Sequence, residues 1–129
     1  MRSLFLVTVV VPDYDSAISW YRDILDFTLA IDQPLGGGKR WVVMKPDENA
    51  GAGLLLARAD GEIEARAIGN QTGGRVAFFL STDDFARDHA LYISRGVAFL
   101  EAPRHEEYGT VAVFRDVFGN FWDLIEHNH

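Results

Sequence analysis

The 129-residue chain contains no cysteine, which removes disulfide staples and thiolate metal or redox sites from consideration. Positive charge is scarce: 12 Lys and Arg stand against 19 Asp and Glu, a net charge of −7 with an isoelectric point of about 4.9. Such a surface repels phosphate backbones, so no nucleic-acid partner is expected, and a cationic or neutral small ligand suits the field better. Long apolar runs are missing too. The longest, residues 4–11, is interrupted by Thr8 and falls far below the ~20 residues of a membrane-spanning helix. The opening Met1-Arg2-Ser3 has no signal-peptide pattern, so the expectation is a cytoplasmic protein with no membrane partner. What is present, 48% hydrophobic and 24% charged residues, describes one domain over residues 1–129, since domains commonly run to ~100–150 residues.

Residues 4–11 are apolar and β-branched, as a buried strand requires, and Pro12-Asp13 ends them. Asp13 and Asp15 are candidate caps for a helix over 14–25, whose stripe is Ala17, Ile18, Tyr21, Ile24 and Leu25. Strands are predicted at 27–31, 40–44 and 53–57, with a loose turn over 34–38, so the first half reads β-α-β-β-β. The polar, glycine-rich stretch 60–74 connects the halves, its alanines able to support a turn of helix. Module one thus covers 1–59, module two 75–126, and a short tail 127–129.

The second half repeats the first at an offset of 70, the separation of Asp13 from Asp83 (83 − 13). The same offset carries helix 14–25 onto 84–95, strand 41–44 onto 111–114, and 53–56 onto 123–126. The second helix has Asp83 or Asp84 as its cap, Phe85, Ala86, Ala90 and Ile93 as its stripe, and Gly96 as its stop. Each module alone leaves one sheet face bare, so the pair is expected to enclose a shared concavity suited to a ligand.

Two stretches carry a family resemblance: Val11-Pro12-Asp13-Tyr14-Asp15-Ser16-Ala17 running on to Phe27, and Phe114-Arg115-Asp116-Val117-Phe118-Gly119-Asn120 running on to Glu126. With the paired β-α-β-β-β modules, the chain resembles the vicinal oxygen chelate superfamily of glyoxalase I, extradiol dioxygenases and bleomycin-binding proteins. The resemblance implies an α+β fold in which two tandem modules form a U-shaped, partly open eight-stranded sheet, assembled as a homodimer. It also implies a hairpin turn with positive φ at Gly119 and Asn120. Metal-dependent members hold a divalent ion with one side chain from the first and last strands of each module. Those positions fall here on Leu6, on Gly53 or Leu55, on Ala77 and on Asp123, and one carboxylate is not a ligand shell. No metal and no cofactor are therefore expected. His127 and His129 lie ~13 Å or more along a strand from Asp123 at ~3.3 Å per residue, too far to share an ion with it. His89 is expected at the edge of the second helix's stripe.

Gly36-Gly37-Gly38-Lys39-Arg40 lacks the spacing, the hydroxyl residue and the following helix of a phosphate loop, and reads as a hairpin loop. Trp41 is either an aromatic wall for a planar ligand or core packing. Gln71 and Arg75 belong to a polar turn before the second module, able to orient a ligand or merely to link the halves. Phe79 shares a strand face with Ala77, which the resemblance turns toward the cavity. Residues 104–109 read as a loop, either a mobile lid with Arg104 and Tyr108 as candidate ligand contacts or a plain solvated connection. Asp123, set among apolar side chains, has its pKa raised by burial unless Arg75 or Arg115 pairs with it; it is either a base or cation anchor, or an ion-pair partner.

Three functions follow. The first is a metal-free small-molecule binding protein with an acidic, aromatic-lined pocket formed by Trp41, Gln71, Arg75, Phe79, Arg104, Tyr108, Arg115 and Asp123, taking a cationic or aromatic ligand. The second is a metal-dependent glyoxalase-like lyase or dioxygenase. The third is a metal-free enzyme with Asp123 or His105 as acid or base. Fold alone does not choose among them.

Overall fold

The chain divides into two compact units, Met1–Ile68 and Gly69–His129. The computed structural model describes residues 1–49 and 51–128, so His129 lies outside the described residues. The first unit runs β1 (Leu6–Val11), α1 (Tyr14–Asp23), β2 (Thr28–Gly36), β3 (Lys39–Lys45), β4 (Gly53–Arg58) and α2 (Gly61–Ala67). Its sheet has the order β1-β4-β3-β2, with β1 parallel to β4 and the other pairs antiparallel. Asp13 starts α1: its carboxylate accepts the Ser16 hydroxyl at 2.6 Å and the Ser16 N–H at 2.8 Å. Those bonds, the hydroxyl's foremost, hold its carboxyl below the usual carboxylate range. Asp15, the other candidate cap, instead pairs with Arg40 at 2.9 Å. Tyr14, Ala17, Ile18 and Tyr21 are buried on the helix face that packs on β3 and β4, where Val42, Met44, Leu54 and Leu56 complete the core.

One expected turn becomes strand. Residues 34–36 continue β2, with Pro34 opposite Arg40 after which the register shifts. Because β2 is an edge strand, Pro34 needs no N–H partner on its outer side, and the turn tightens onto Gly37 and Gly38 at φ 62° and 80°.

The second unit runs β5 (Val76–Ser81), α3 (Phe85–Ser94), β6 (Ala98–Phe99), β7 (Arg104–Glu106), β8 (Gly109–Arg115) and β9 (Phe121–His127). β5 and β8 begin 70 residues after β1 and β3 (76 − 6 and 109 − 39). The sheet order is β5-β9-β8-β6, β5 again parallel to β9. Segment 104–109 is not all loop, because β8 has an outer edge to satisfy. β6 covers only Phe114 and Arg115, and β7 takes up Gly109, Thr110 and Val111 after the break at Glu101-Ala102-Pro103. Among the described residues the fold therefore counts nine strands, one position being filled by two short pieces.

Asp84 caps α3, accepting the Arg87 N–H at 3.0 Å, while Asp83 pairs with the Arg87 side chain. The inward stripe is the buried Phe85 and Tyr92 with the half-buried His89 between them, not Ala86, Ala90 and Ile93, which are exposed. Aromatic rings decide this. Phe85 stacks on His89, His89 meets Phe99 edge-on at 4.5 Å, and Tyr92 meets Phe114, which stacks on Trp122.

The β8–β9 turn is held by a buried carboxylate. Asp116, 3% exposed, accepts the N–H groups of Phe118 (3.0 Å) and Asn120 (2.9 Å), the Asn120 side-chain amide (2.9 Å) and the Trp122 indole N–H (3.0 Å). Gly119 has the expected positive φ of 104°, but Asn120 does not; its side chain is fixed by Asp116 instead. Asp116→Ala is expected to cost about 3 kcal/mol or more in urea unfolding, because it strands several buried donors at once. A loss below about 1 kcal/mol would show that water replaces the carboxylate without penalty.

Candidate functional site

In the first unit, the positions that the resemblance associates with a metal are packed with carbon. Leu6 and Gly53 are direct neighbours across β1 and β4. A first side-chain carbon at Gly53 would lie 2.9 Å from Val43 Cγ1, 3.2 Å from Leu6 Cδ2 and 3.3 Å from Lys45 Cγ. A ligating side chain has no room there, and Leu6 and Leu55 offer no donor. In the second unit Ala77 sits at a register shift in β5 and likewise offers none, leaving Asp123 as the one oxygen donor of the set. Among the described residues, no three His, Asp or Glu side chains gather as a metal-holding group. These residues do not fit a divalent ion.

Asp123 occupies the middle of the second sheet. β9 sets it between Phe79 of β5 and Val113 of β8, giving the cross-strand row Phe79, Asp123, Val113. The next row on that face is Ser81, Ile125, Val111 and Arg104. Trp122 and Leu124 point the other way, into the core beneath α3. Asp123 Oδ1 is buried and has no hydrogen-bond partner among the described residues. Burial pushes its carboxyl above the usual carboxylate range; the Arg104 charge pulls it down and Glu101 pushes it up.

Arg104 does not discharge Asp123, because it is committed elsewhere. Its Nε lies 3.0 Å and 3.1 Å from the two Glu101 oxygens, its Nη1 donates to Glu106 at 2.7 Å, and Tyr108 adds a further hydrogen bond. Glu101 also accepts the Val113 N–H at 3.2 Å, which ties this charge cluster to the strand beside Asp123. Glu101 was not legible as a site residue: it precedes Pro103 in an irregular stretch, and only its separation of three from Arg104 hinted at a pair.

The remaining candidates separate. Arg115 lies over the Phe121 ring at 5.5 Å. Arg75 is exposed, and its main-chain carbonyl accepts the Thr72 hydroxyl at 2.7 Å. Gln71 is half-buried in the preceding turn. Neither Arg75 nor Arg115 acts on the Asp123 carboxyl, whose charged neighbours are Arg104 and Glu101. His105 pairs with Thr110 across β7 and β8, its Nδ1 3.3 Å from the Thr110 hydroxyl, in a row on the opposite face from Asp123. The two acid–base candidates therefore do not work as a pair. Trp41, half-buried on β3 opposite Gln33, lines a cleft within the first unit.

A family model described as the Glyoxalase/Bleomycin resistance protein/Dioxygenase superfamily matches residues 3–124. An uncharacterized protein of Shewanella frigidimarina (strain NCIMB 400) is 46% identical over 128 residues, covering 98% of this chain and 95% of its own. Among solved structures, UcmS2 is similar with a TM-score of 0.82 at 29% identity, covering 97% of this chain and 98% of that one. TnmS3, described as an antibiotic binding protein from Streptomyces sp. CB03234, superposes with a TM-score of 0.79 at 28% identity, covering 99% and 98%. Among the described residues no helix is long and apolar enough to cross a membrane.

A carboxyl whose pKa rises on folding binds its proton more tightly in the folded chain. Its stabilising contribution is complete below the ordinary carboxylate value of 3.8 and is lost as pH climbs through the raised value. Asp123→Asn removes that loss. The variant's melting temperature is expected to gain on the parent's as pH rises from 3.8, levelling off once Asp123 is ionised; a constant difference at all pH values would contradict the assignment.

Proposed function

Because the chain belongs to the Glyoxalase/Bleomycin resistance protein/Dioxygenase superfamily, we propose that it is a small-molecule binding member that holds its ligand without a resident metal. The observation that carries this reading is the buried, unpartnered Asp123 Oδ1 on an otherwise apolar row. An unmet buried acceptor costs about 1–3 kcal/mol, which a ligand recovers by bringing an ammonium, hydroxyl or amide donor to it. Phe79, 67% exposed beside Asp123, and Tyr108, 51% exposed, offer ring surface for an aromatic body. The net charge of −7 favours a cationic ligand over an anionic one at this carboxylate. The likeness to an antibiotic binding protein supports the same class of role. The proposal includes a cytoplasmic homodimer, the assembly implied by the family resemblance.

A metal-dependent lyase or dioxygenase has less support, since Leu6, Gly53 and Ala77 bring no donor. Acid–base catalysis without metal would rest on Asp123 alone, His105 lying on the other face.

Elemental analysis of untagged protein is expected to find substoichiometric Zn, Mn, Ni and Fe; one equivalent of any of them would overturn the metal-free reading. In a thermal-shift screen, a cationic aromatic antibiotic that binds the folded state raises the melting temperature. Affinity for it is expected to increase as pH rises through the Asp123 titration, and Asp123→Asn to weaken it about tenfold or more. Affinity indifferent to both changes would place the ligand elsewhere.

A further inference from the structure

A cleft lies wholly within the first unit, at the ends of β3 and β4, with three cationic side chains in its lining. It encloses about 200 Å³ and is lined by Tyr14, Leu35, Lys39, Arg40, Trp41 and Arg58, with Asp60 and Glu64 on the side of α2. Tyr14 is buried, and its ring carries two guanidinium groups, Arg40 with Cζ at 5.2 Å and Arg58 at 5.5 Å from the centroid. Two like charges sharing one ring repel each other, and one of them is neutralised. Arg40 donates to Asp32 at 3.1 Å and 2.7 Å and to Asp15 at 2.9 Å. Arg58 and Lys39 have no carboxylate partner among the described residues, where the ion pairs of this unit fall on Arg22, Arg40 and Arg66.

The acidic side lies at the start of α2. Glu64 is engaged at the start of its own helix, accepting the Asp60 N–H at 3.2 Å, while the Asp60 side chain makes no capping bond. A backbone N–H leaves the Glu64 charge intact, so the carboxylate-free Lys39 and Arg58 stand against Asp60 and Glu64, a locally balanced site on a chain of net charge −7. Trp41, Leu35 and Leu55 supply apolar wall beside them. The volume lies below the ~300–1,000 Å³ of sites for drug-sized ligands, so it suits a body of one or two rings.

We propose that this cleft binds a planar aromatic monocarboxylate, its carboxylate held by the Arg58 fork and Lys39 and its ring against Trp41 and Leu35. A guanidinium fork matches a carboxylate in two parallel bonds, and the bound anion completes for Arg58 what Asp15 and Asp32 already do for Arg40. The site is independent of the Asp123 reading, lying in the other unit and preferring the other charge.

Calorimetric and NMR titrations with benzoate and indole-3-acetate test it, with neutral indole and cationic tryptamine as controls. Saturable binding of a carboxylate is expected, shifting the Trp41 indole N–H resonance, which is identified by its loss in Trp41→Phe. Indole and tryptamine are expected to bind at least about tenfold more weakly. Arg58→Gln should weaken carboxylate binding about tenfold with an unchanged melting temperature, Asp60→Asn should strengthen it, and Asp123→Asn should leave it unaltered. If Arg58→Gln proves unstable, Lys39→Gln gives the same reading. Equal affinity for indole and the carboxylates, unchanged affinity in the folded Arg58 or Lys39 variant, or no saturable carboxylate binding would overturn the proposal.

Discussion

The carboxylate of Asp116 holds the second unit in register. Four donors converge on it from within a few residues, and one of them, the Trp122 indole N–H, belongs to the strand that follows the turn. That single acceptor joins the turn geometry to the β8–β9 ladder, so Asp123 is delivered opposite Val113 and, through the parallel pairing, opposite Phe79. A slip of one residue would exchange the two faces, burying Asp123 beneath α3 and exposing Trp122. The charge at the site thus depends on a different buried charge seven residues earlier in the chain. Asp116 is fully satisfied and structural. Asp123 Oδ1 has no hydrogen-bond partner among the described residues.

The same contrast separates the two units. In the first, the sheet face opposite α1 is closed by Leu6, Val43 and the Lys45 stem around Gly53, and the free chemistry lies at the ends of the strands, where Arg58 and Lys39 have no ion-pair partner among the described residues. In the second, the arginine beside the key carboxylate is held by Glu101, Glu106 and Tyr108, so it moderates the Asp123 charge without cancelling it. Repetition of a module has preserved backbone and allowed the side chains to diverge in which charges are left without an ion-pair partner. An acidic overall charge conceals this, because a net value says nothing about which groups are already paired.

Much of the architecture was legible from the residues. The offset of 70 carried strand bounds from one unit to the other, and Asp13 and Asp84 were readable as caps because hydrogen bonding to the third following N–H is a local matter. What failed was non-local. Pro34 looked like a turn signal, but an edge strand tolerates it. Residues 104–106 looked like loop, but the open edge of β8 recruited them. The α3 stripe was misread because two alanines and Ile93 matched the helical period, whereas His89, polar by composition, fills the aromatic layer between Phe85 and Phe99. At the site, alternation along β9 was enough to isolate Asp123 among apolar neighbours. It did not reveal Glu101 as the partner of Arg104, nor that His105 faces away, since both depend on how a broken strand pairs.

The ligand-anchoring role turns on Asp123 being a carboxyl that folding leaves partly desolvated and, at Oδ1, without a hydrogen-bond partner among the described residues. The most direct measurement is an NMR titration of its side-chain carboxyl carbon in the folded protein without ligand. A midpoint clearly above the ordinary 3.8 is the result the structure predicts. A midpoint at or below 3.8 would mean that a partner or water already satisfies the group, and the ligand-anchoring role would fall with it.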